Sequence, residues 1–572
     1  MMAQAGTAYP QVDPGALGLM HRALARCAAR ESVSAALRLA ERRKARILIV
    51  SDGRAQGVSF PPLLRRARAL GLGEQAVGDL AWWEVPAVGG RTSEVTVRRR
   101  LMEGAPAVLV REAGETAGAV EPSVLGQPAS ALSLLGRLER QVPGPVTEFL
   151  RTVGVMGQAM GIPVFVAGGF VRDLLLGRAS LDLDLVAEGD GMALARQLAR
   201  RFGGRASLHR SFGTATVHGG PTTVLDIATA RRERYPAPGA LPVVSPASIL
   251  VDLRRRDFTV NAMAVSLSPE SFGRLVDPIG GWRDLGRRRV RALHPLSFVE
   301  DPTRIFRAVR YAVRLGFGID RDTRRWIRLA LRAGGYSALS GQRIMAEVRL
   351  AVGEPRPADV LIALGRLGAF RLLEPSYRFS PAAAQSLREV CTFVRWARDH
   401  QIEVESTRLT LLALLSHLDE SRAERALRRL ALAGEPLRRL MRARTEGPAL
   451  LECLAGAARP SDLARWLRGR PPETLAWARL LSPAAARGQI EWFLREARHA
   501  RASLSGDDLL ALGVPAGPTV GSLLDRLRDA RLDRGAQTRE DEIALVRTWI
   551  HSPVGGTAPV PDAGGAGGPR PH

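Results

Sequence analysis

The segment Val164–Asp190 constrains what this chain can fold into more than any other. Val164–Ala167 is a short unbroken apolar run, which fits a buried strand. Gly168 and Gly169 follow at once. Without a Cβ they permit a tight turn in which backbone amides approach a ligand closely. Phe170–Leu176 then reads as a helix whose free N–H groups and positive dipole end favour phosphate. Leu181–Val186 alternates apolar and acidic residues, a strand period that puts Asp182 and Asp184 on one face. Two adjacent carboxylates repel each other unless cations sit between them. Mg²⁺ favours such oxygen-rich, phosphate-sharing sites, and a pair of ions can clamp an in-line phosphoryl transfer. A glycine pair is ordinarily only a turn and Asp-x-Asp only a solvated strand end. Joined at this spacing they predict a phosphate-handling site.

The run GGFVRDLLLGR (168–178), followed by DLD (182–184), resembles the head of the class II tRNA nucleotidyltransferase and poly(A) polymerase family. The resemblance implies an α/β nucleotidyltransferase head of the DNA polymerase β-like type, with an all-α neck, body and tail after it. It further implies that Asp182 and Asp184 hold two Mg²⁺ ions and that Gly168, Gly169 and Arg172 meet the incoming nucleotide. Asp173 would brace the turn.

Two more segments carry the same likeness. LRRRDFTVNA (253–262) resembles the family's RRDFT-(I/V)-NA motif. Three adjacent arginines would be unremarkable on a surface, but before an apolar turn they suit a polyphosphate. The match assigns Arg256 to nucleotide contact, with Asp257 orienting it and Asn261 structural. In FVEDPTRIFRAVRYAVRLGF (298–317), Pro302 suits the first turn of a helix and Glu300 and Asp301 its positive end. Asp301 and Arg304 are then i,i+3 neighbours, which by default means a weak surface ion pair. Used together on one base, the aspartate accepts from an exocyclic amine while the arginine donates to the adjacent ring acceptor. Cytosine and adenine present that pair; guanine and uracil place a carbonyl against the carboxylate and leave polar groups unpaired. The likeness to the family's EDxxR helix implies this template for CTP and ATP. It also implies nucleotide contacts for Arg307 and Arg310, although each three-residue step falls about 60° short of a turn and carries Arg310 roughly opposite Asp301.

Elsewhere the residues leave more open. Asp226, near the end of a predicted strand Thr223–Ala228, reads as a third catalytic carboxylate (metal ligand or base) or as a cap for the arginine-rich segment after it. Arg231–Val244 reads as a loop by its Pro and Gly content, where the family has a mobile loop that helps specificity change. The formal charge of +25, arginine at every cationic side chain but Lys44, favours a polyanionic partner. Charge alone fits RNA, DNA or an acidic membrane; the resemblance narrows this to the acceptor arm and 3′ end of tRNA. Three scattered cysteines offer neither disulfide framework nor zinc spacing, and no eighteen-residue apolar stretch exists. A cytoplasmic protein without a membrane segment is expected.

The expected organisation begins with disorder over 1–20. Residues 21–126 repeat a helix–strand–strand order that resembles an α+β tandem CBS pair. That family's ribose-holding Thr and Asp are replaced here by Phe60 and Leu63, then Glu121 and Val124, so scaffolding and self-association are expected rather than nucleotide sensing. A linker (127–145), head (146–294), neck with the recognition helix (295–360), tRNA-binding helical body and tail (361–550) and a disordered Gly/Pro-rich end (551–572) complete it. The activity implied is template-independent addition of CCA to tRNA, with CC addition, A addition and poly(A) tailing as alternatives. A non-catalytic RNA-binding protein would lack one of the paired aspartates.

Overall fold

The computed structural model describes residues 15–125, 132–178, 182–219, 224–456 and 459–551. The described residues divide into two compact units: those within 1–380 together with 428–431, and those within 381–427 and 432–572.

Among the described residues the first unit begins with a short helix, α1 (Gly15–Leu19), at the end of the segment 1–20 expected to be disordered; residues 1–14 of that segment lie outside the described residues. Ala16 is fully buried in a cluster with Val97, Leu101 and Val108, and that packing orders the segment. Two similar halves follow: β1 (Leu24–Ala28), α2 (Val33–Arg42), β2 (Ile47–Ser51), β3 (Gln56–Ser59) and α3 (Pro61–Ala69), then β4 (Ala87–Gly89), α4 (Glu94–Met102), β5 (Val108–Glu112) and β6 (Glu115–Val120). Ser32 and Ser93 start α2 and α4 by accepting from the N–H groups of Ala35 and Thr96. In each half the first two strands pair parallel and the last two antiparallel. Ile47, Ile49 and Val58 share one core cluster with Ala107, Leu109 and Ala119, so the two sheets bury their apolar faces on each other.

Residues 126–131 of the expected linker lie outside the described residues. The rest is packed, not a free tether. It carries α5 (Leu135–Gln141), buries Leu134 and Leu138, and exchanges backbone hydrogen bonds with Gly273 and Leu275.

The head contains α6 (Gly144–Ala159), β7 (Val164–Ala167), α7 (Gly169–Leu175), β8 (Asp184–Ala187), α8 (Gly191–Arg201), β9 (Arg205–His209), β10 (Thr214–His218), β11 (Val224–Thr229), β12 (Arg231–Arg234), β13 (Val243–Pro246), α9 (Ile249–Arg254), β14 (Ala264–Ser266), β15 (Leu275–Val276), α10 (Gly281–Gly286) and β16 (Arg289–Val290). Seven strands form one mixed sheet in the order β15-β14-β7-β8-β11-β10-β9. The apolar run of β7 is buried at all four positions near the middle of that sheet. The strand expected over Leu181–Val186 begins only at Asp184; Asp182 and Leu183 precede it, Leu181 lies outside the described residues, and burial alternates across the join, with Leu183 and Leu185 inside and Asp182 and Asp184 outside.

The region expected as the neck holds α11 (Ser297–Glu300), α12 (Thr303–Leu315), β17 (Gly318–Ile319), α13 (Arg321–Ala333), α14 (Gly341–Val352) and α15 (Pro357–Leu367), the last running past the expected end at 360. Its helix α13 docks the N-terminal halves: Trp82 meets Trp326 edge-on at 5.8 Å, and the Trp83 N–H donates to Asp322 Oδ2 at 2.8 Å. The second unit is helical throughout its described residues. Its last helices close over Leu504, Leu509, Leu523, Leu527 and Val546. Gly513 and Gly517 turn the chain with positive φ (93° and 140°), and Gly521 lies inside the helix Pro518–Leu532. No helix among the described residues is long and apolar enough to cross a membrane.

Candidate active site

At the end of β7 the chain turns through Gly168, whose backbone (φ 79°, ψ −129°) belongs to a region that glycine enters freely. A Cβ at Gly168 would stand 2.9 Å from Arg256 Nη1. The bare turn thus keeps a cradle open between the backbone and that guanidinium. Asp182 and Asp184 face the same space, and with Gly168, Gly169, Arg172 and Arg256 they line a cavity of about 600 Å³. Partial loss of hydration holds the Asp184 carboxyl above its usual range. The charges of Asp182 and Asp226 add to that rise, and Arg256 opposes it. A cation bound there would relieve this repulsion. Among the described residues no group of three or more His, Cys, Asp or Glu side chains is arranged to hold a metal. A two-carboxylate site must take its remaining oxygens from water and phosphate, which suits Mg²⁺.

Asp226 sits beside Asp184 in the parallel β8–β11 register but does not line the cavity. Its Oδ1 accepts from Thr216 Oγ1 at 2.7 Å, across the β10–β11 pair. The structure therefore places it exposed beside Asp184 on the neighbouring strand, with its hydrogen bond on β10 and not on the arginine-rich segment.

Arg172 is 6 % exposed and held on every side. Its Nε and Nη2 donate to the two oxygens of Asp173 at 2.9 and 2.8 Å, and Nη1 donates to Asn261 Oδ1 at 2.8 Å. Its guanidinium carbon lies 5.4 Å from the centre of the Tyr311 ring. Asp173 thus braces Arg172 in place of the turn. The expected pairing of Asp257 with Arg256 does not form. Helix α9 places Asp252 one turn before Arg256, and the two pair at 3.3 Å. Asp257 instead accepts from Arg307 Nε at 2.7 Å on α12. Burial works against the charge of Asp257, but Arg307 and then Arg304 outweigh it and hold the carboxyl below its ordinary range.

The recognition segment differs from one continuous helix. α11 ends at Glu300, Asp301 is extended (φ −137°, ψ 94°), and α12 begins at Thr303. Asp301 Oδ1 caps α12 by accepting from Thr303 N–H at 3.1 Å and Oγ1 at 2.6 Å. It also accepts from Arg343 Nη2 at 2.8 Å. Arg304 does not pair with it. Its guanidinium donates to Ser297 Oγ, the Tyr235 hydroxyl and the Arg255 carbonyl at 2.8, 3.1 and 3.2 Å. Asp301, Arg304 and Arg307 all line the cavity.

Besides Asp173 and Asp226, two more predicted residues lie outside the cavity. Glu300, expected at the positive end of α12, closes the separate turn α11 and faces Arg66 at 2.8 Å, outside the cavity. Arg310 is turned away by the helical rotation and buried between Glu347 and Glu354, each at 2.9 Å. Removing it leaves two buried carboxylates without that shared cation. Arg310→Ala is expected to destabilise the protein by about 3 kcal/mol, measured as a lower urea midpoint at unchanged slope.

The expected loop Arg231–Val244 is an antiparallel hairpin, with Arg231 opposite Pro246 and Arg234 opposite Val243. Pro and Gly mark only its tip. Strand alternation leaves Arg232 and Arg234 exposed and turns Arg231 and Glu233 to the cavity. At the tip the Gly239 N–H donates to the carbonyls of Val299 and Glu300, and Arg343 Nη1 donates to the Gly239 carbonyl at 2.7 Å. Tyr235, Tyr311 and Arg343 were missed in the sequence. The alternation Arg231-x-Glu233-x-Tyr235 could have revealed Tyr235, but no local pattern ties Arg343 to an aspartate 42 residues away.

Residues 164–291 match the family described as the poly A polymerase head domain. The A-adding tRNA nucleotidyltransferase of Geobacter sulfurreducens is 38% identical over 417 residues, 71% of this chain and 47% of that protein. The chain thus spans about half the length of that relative. The A-adding tRNA nucleotidyltransferase of Halalkalibacterium halodurans is 30% identical over 71% of this chain and 92% of its own length. Among solved structures, the Thermotoga maritima CCA-adding enzyme complexed with tRNA-CCA is similar over 73% of this chain and 99% of its own, at 28% identity and a TM-score of 0.64.

Proposed function

Since the chain belongs to the tRNA nucleotidyltransferase and poly(A) polymerase family, we propose that it adds nucleotides of the terminal CCA to the 3′ end of tRNA from CTP and ATP, without a nucleic-acid template. One observation carries this reading. A pair of cleft carboxylates over a glycine turn shares its cavity with Asp301 and Arg304, a set able to select a base.

Asp182 and Asp184 would hold Mg²⁺, whose chemistry is to neutralise phosphate charge and to activate the primer hydroxyl. Gly168 and Gly169 give the triphosphate close backbone approach. Arg172 and Arg256, already aimed by Asp173, Asn261 and Asp252, receive the charge that develops on the leaving pyrophosphate. Asp226 acts on Asp184 from the neighbouring strand. Arg307, fixed by Asp257, meets the nucleotide from α12. Asp301 accepts the exocyclic amine of cytosine or adenine after exchanging Arg343 for it, and Arg304 donates to the adjacent ring nitrogen.

Both relatives named above are A-adding, which favours the final adenosine as the product. Addition of the whole CCA is the second reading, favoured by the fold match to a CCA-adding enzyme. The arginine-rich helical unit takes the acceptor arm by shape and phosphate. The N-terminal halves serve as a CBS-like scaffold and a surface for self-association, in keeping with their shared core and the missing ribose ligands. The cytoplasm, where tRNA ends are completed, is the compartment this reading requires.

The test supplies the purified protein and Mg²⁺ with tRNAs ending at the discriminator base, at C and at CC. CTP, ATP or both are added and the 3′ ends are sequenced. One adenosine placed only on the CC end is the expected result. Stepwise CCA on the shortest tRNA would establish the second reading, and no extension of any end would overturn both.

A further inference from the structure

One buried carboxylate has no part in the proposed reaction. Glu300 is 2 % exposed at the end of α11 and lies outside the cavity. Arg66 of α3, in the N-terminal pair, stands 2.8 Å from its Oε1, and His294 Nε2 stands 3.6 Å from its Oε2. Burial drives His294 down to about 3, so that ring is neutral and Arg66 supplies the opposing charge. Burial also pushes Glu300 up to about 7. Arg66 and then Arg304 pull it back, while Glu233 and Asp301 add to the rise.

The position of Glu300 in the chain makes this pair consequential. α11 is four residues long, too short to hold itself, and the next residue is Asp301. Besides the burial of Phe298 against Phe258 and the His294 ring beside Glu300, three polar contacts hold that turn: Arg66 on the Glu300 carboxylate, the hairpin N–H of Gly239 on the carbonyls of Val299 and Glu300, and Arg304 on Ser297. Two of the three come from elements of the proposed nucleotide site. The third comes from an arginine 41% exposed on a different part of the fold.

We propose that Arg66 is a positioning residue for nucleotide selection: by anchoring Glu300 it fixes the turn from which Asp301 reaches the cleft. This rests on the nucleotide-transfer reading given above. It makes the N-terminal pair a working part of base choice, acting through one ion pair.

The test uses full-length Arg66→Gln, Arg66→Lys and Glu300→Gln proteins and the Arg66→Gln/Glu300→Gln double variant. Steady-state incorporation and equilibrium binding of ATP, CTP and GTP are followed from about pH 6 to about pH 9. In the wild type, preference for ATP and CTP over GTP should weaken as pH falls through about 7, because Glu300 takes up a proton and the pair is lost. Arg66→Gln should raise KM for the preferred nucleotide roughly fivefold with kcat nearly unchanged, and should flatten the pH step, because no pair is left for protonation of Glu300 to break. Arg66→Lys should restore most of the loss. In Glu300→Gln the pH step should vanish, and Arg66→Gln should add nothing on that background. A structural role alone would give the same Arg66→Gln effect in both backgrounds at every pH, and that result overturns the proposal. Unchanged selectivity with wild-type turnover intact overturns the role of Arg66 and leaves the reaction reading standing. A wild-type protein that neither binds nor incorporates nucleotide removes both.

Discussion

Asp184→Asn is expected to lower nucleotide incorporation by at least about 10³-fold while leaving tRNA affinity and the melting temperature in place. Asparagine keeps the volume of the side chain but cannot share an anionic oxygen with a divalent cation. Stability distinguishes this from simple damage. The Asp184 carboxyl is held above its ordinary range in the folded protein, first by partial loss of hydration and then by Asp182 and Asp226. A group shifted in that direction stabilises the fold when protonated and loses that contribution as pH rises through its folded value. Near neutral pH the charged form is therefore a small burden, and the neutral asparagine should melt no lower than wild type. Filter binding of tRNA and a thermal melt beside the incorporation assay settle the matter. Full turnover in Asp184→Asn, or a collapse of the melt, would remove the metal assignment.

The second large effect concerns base choice. Asp301→Ala should reduce discrimination of ATP and CTP against GTP and UTP by roughly 10²- to 10⁴-fold, mainly through slower use of the preferred nucleotides. The reason is the donor–acceptor arrangement. The carboxylate can satisfy an exocyclic amine and is left facing a lone pair by a carbonyl. Asp301 also caps α12 and accepts from Arg343, so the alanine variant carries a stability cost of about 1 kcal/mol for the lost cap. Asp301→Asn is the control. It retains a capping oxygen but offers an amide that can turn to either base edge, so it should keep the fold and still lose selectivity. Competition assays with mixed nucleotides read the effect directly. Selectivity preserved in both variants would place base recognition on residues other than Asp301.

Arg343 gives these expectations a structural timing. In the resting protein its guanidinium holds Asp301 with one nitrogen and the hairpin carbonyl of Gly239 with another. On the proposed reading, a base reaching Asp301 would compete with that contact and so link nucleotide entry to release of the hairpin tip through a single side chain.

Local geometry was readable from the chain, and partnerships were not. The buried strand Val164–Ala167, the glycine turn, and the outward face shared by Asp182 and Asp184 depend on backbone periods that a few residues express by themselves. For the same reason the rotation that carries Arg310 away from Asp301 could be counted from the helix repeat, although its burial between Glu347 and Glu354 could not. Which carboxylate each arginine meets is a different kind of fact. Arg256 takes Asp252 and leaves Asp257 to Arg307, Arg343 crosses to Asp301, and Arg66 reaches Glu300 from the N-terminal pair. Sequence spacing offers Arg256 both Asp252 four residues before it and the adjacent Asp257, and does not choose between them. A guanidinium's partner is chosen by which elements pack side by side and by how far each carboxylate is withdrawn from water. The fold family and the identity of the acidic pair were therefore determined by the chain as written, and the wiring that aims the cleft arginines was decided only when distant segments came together.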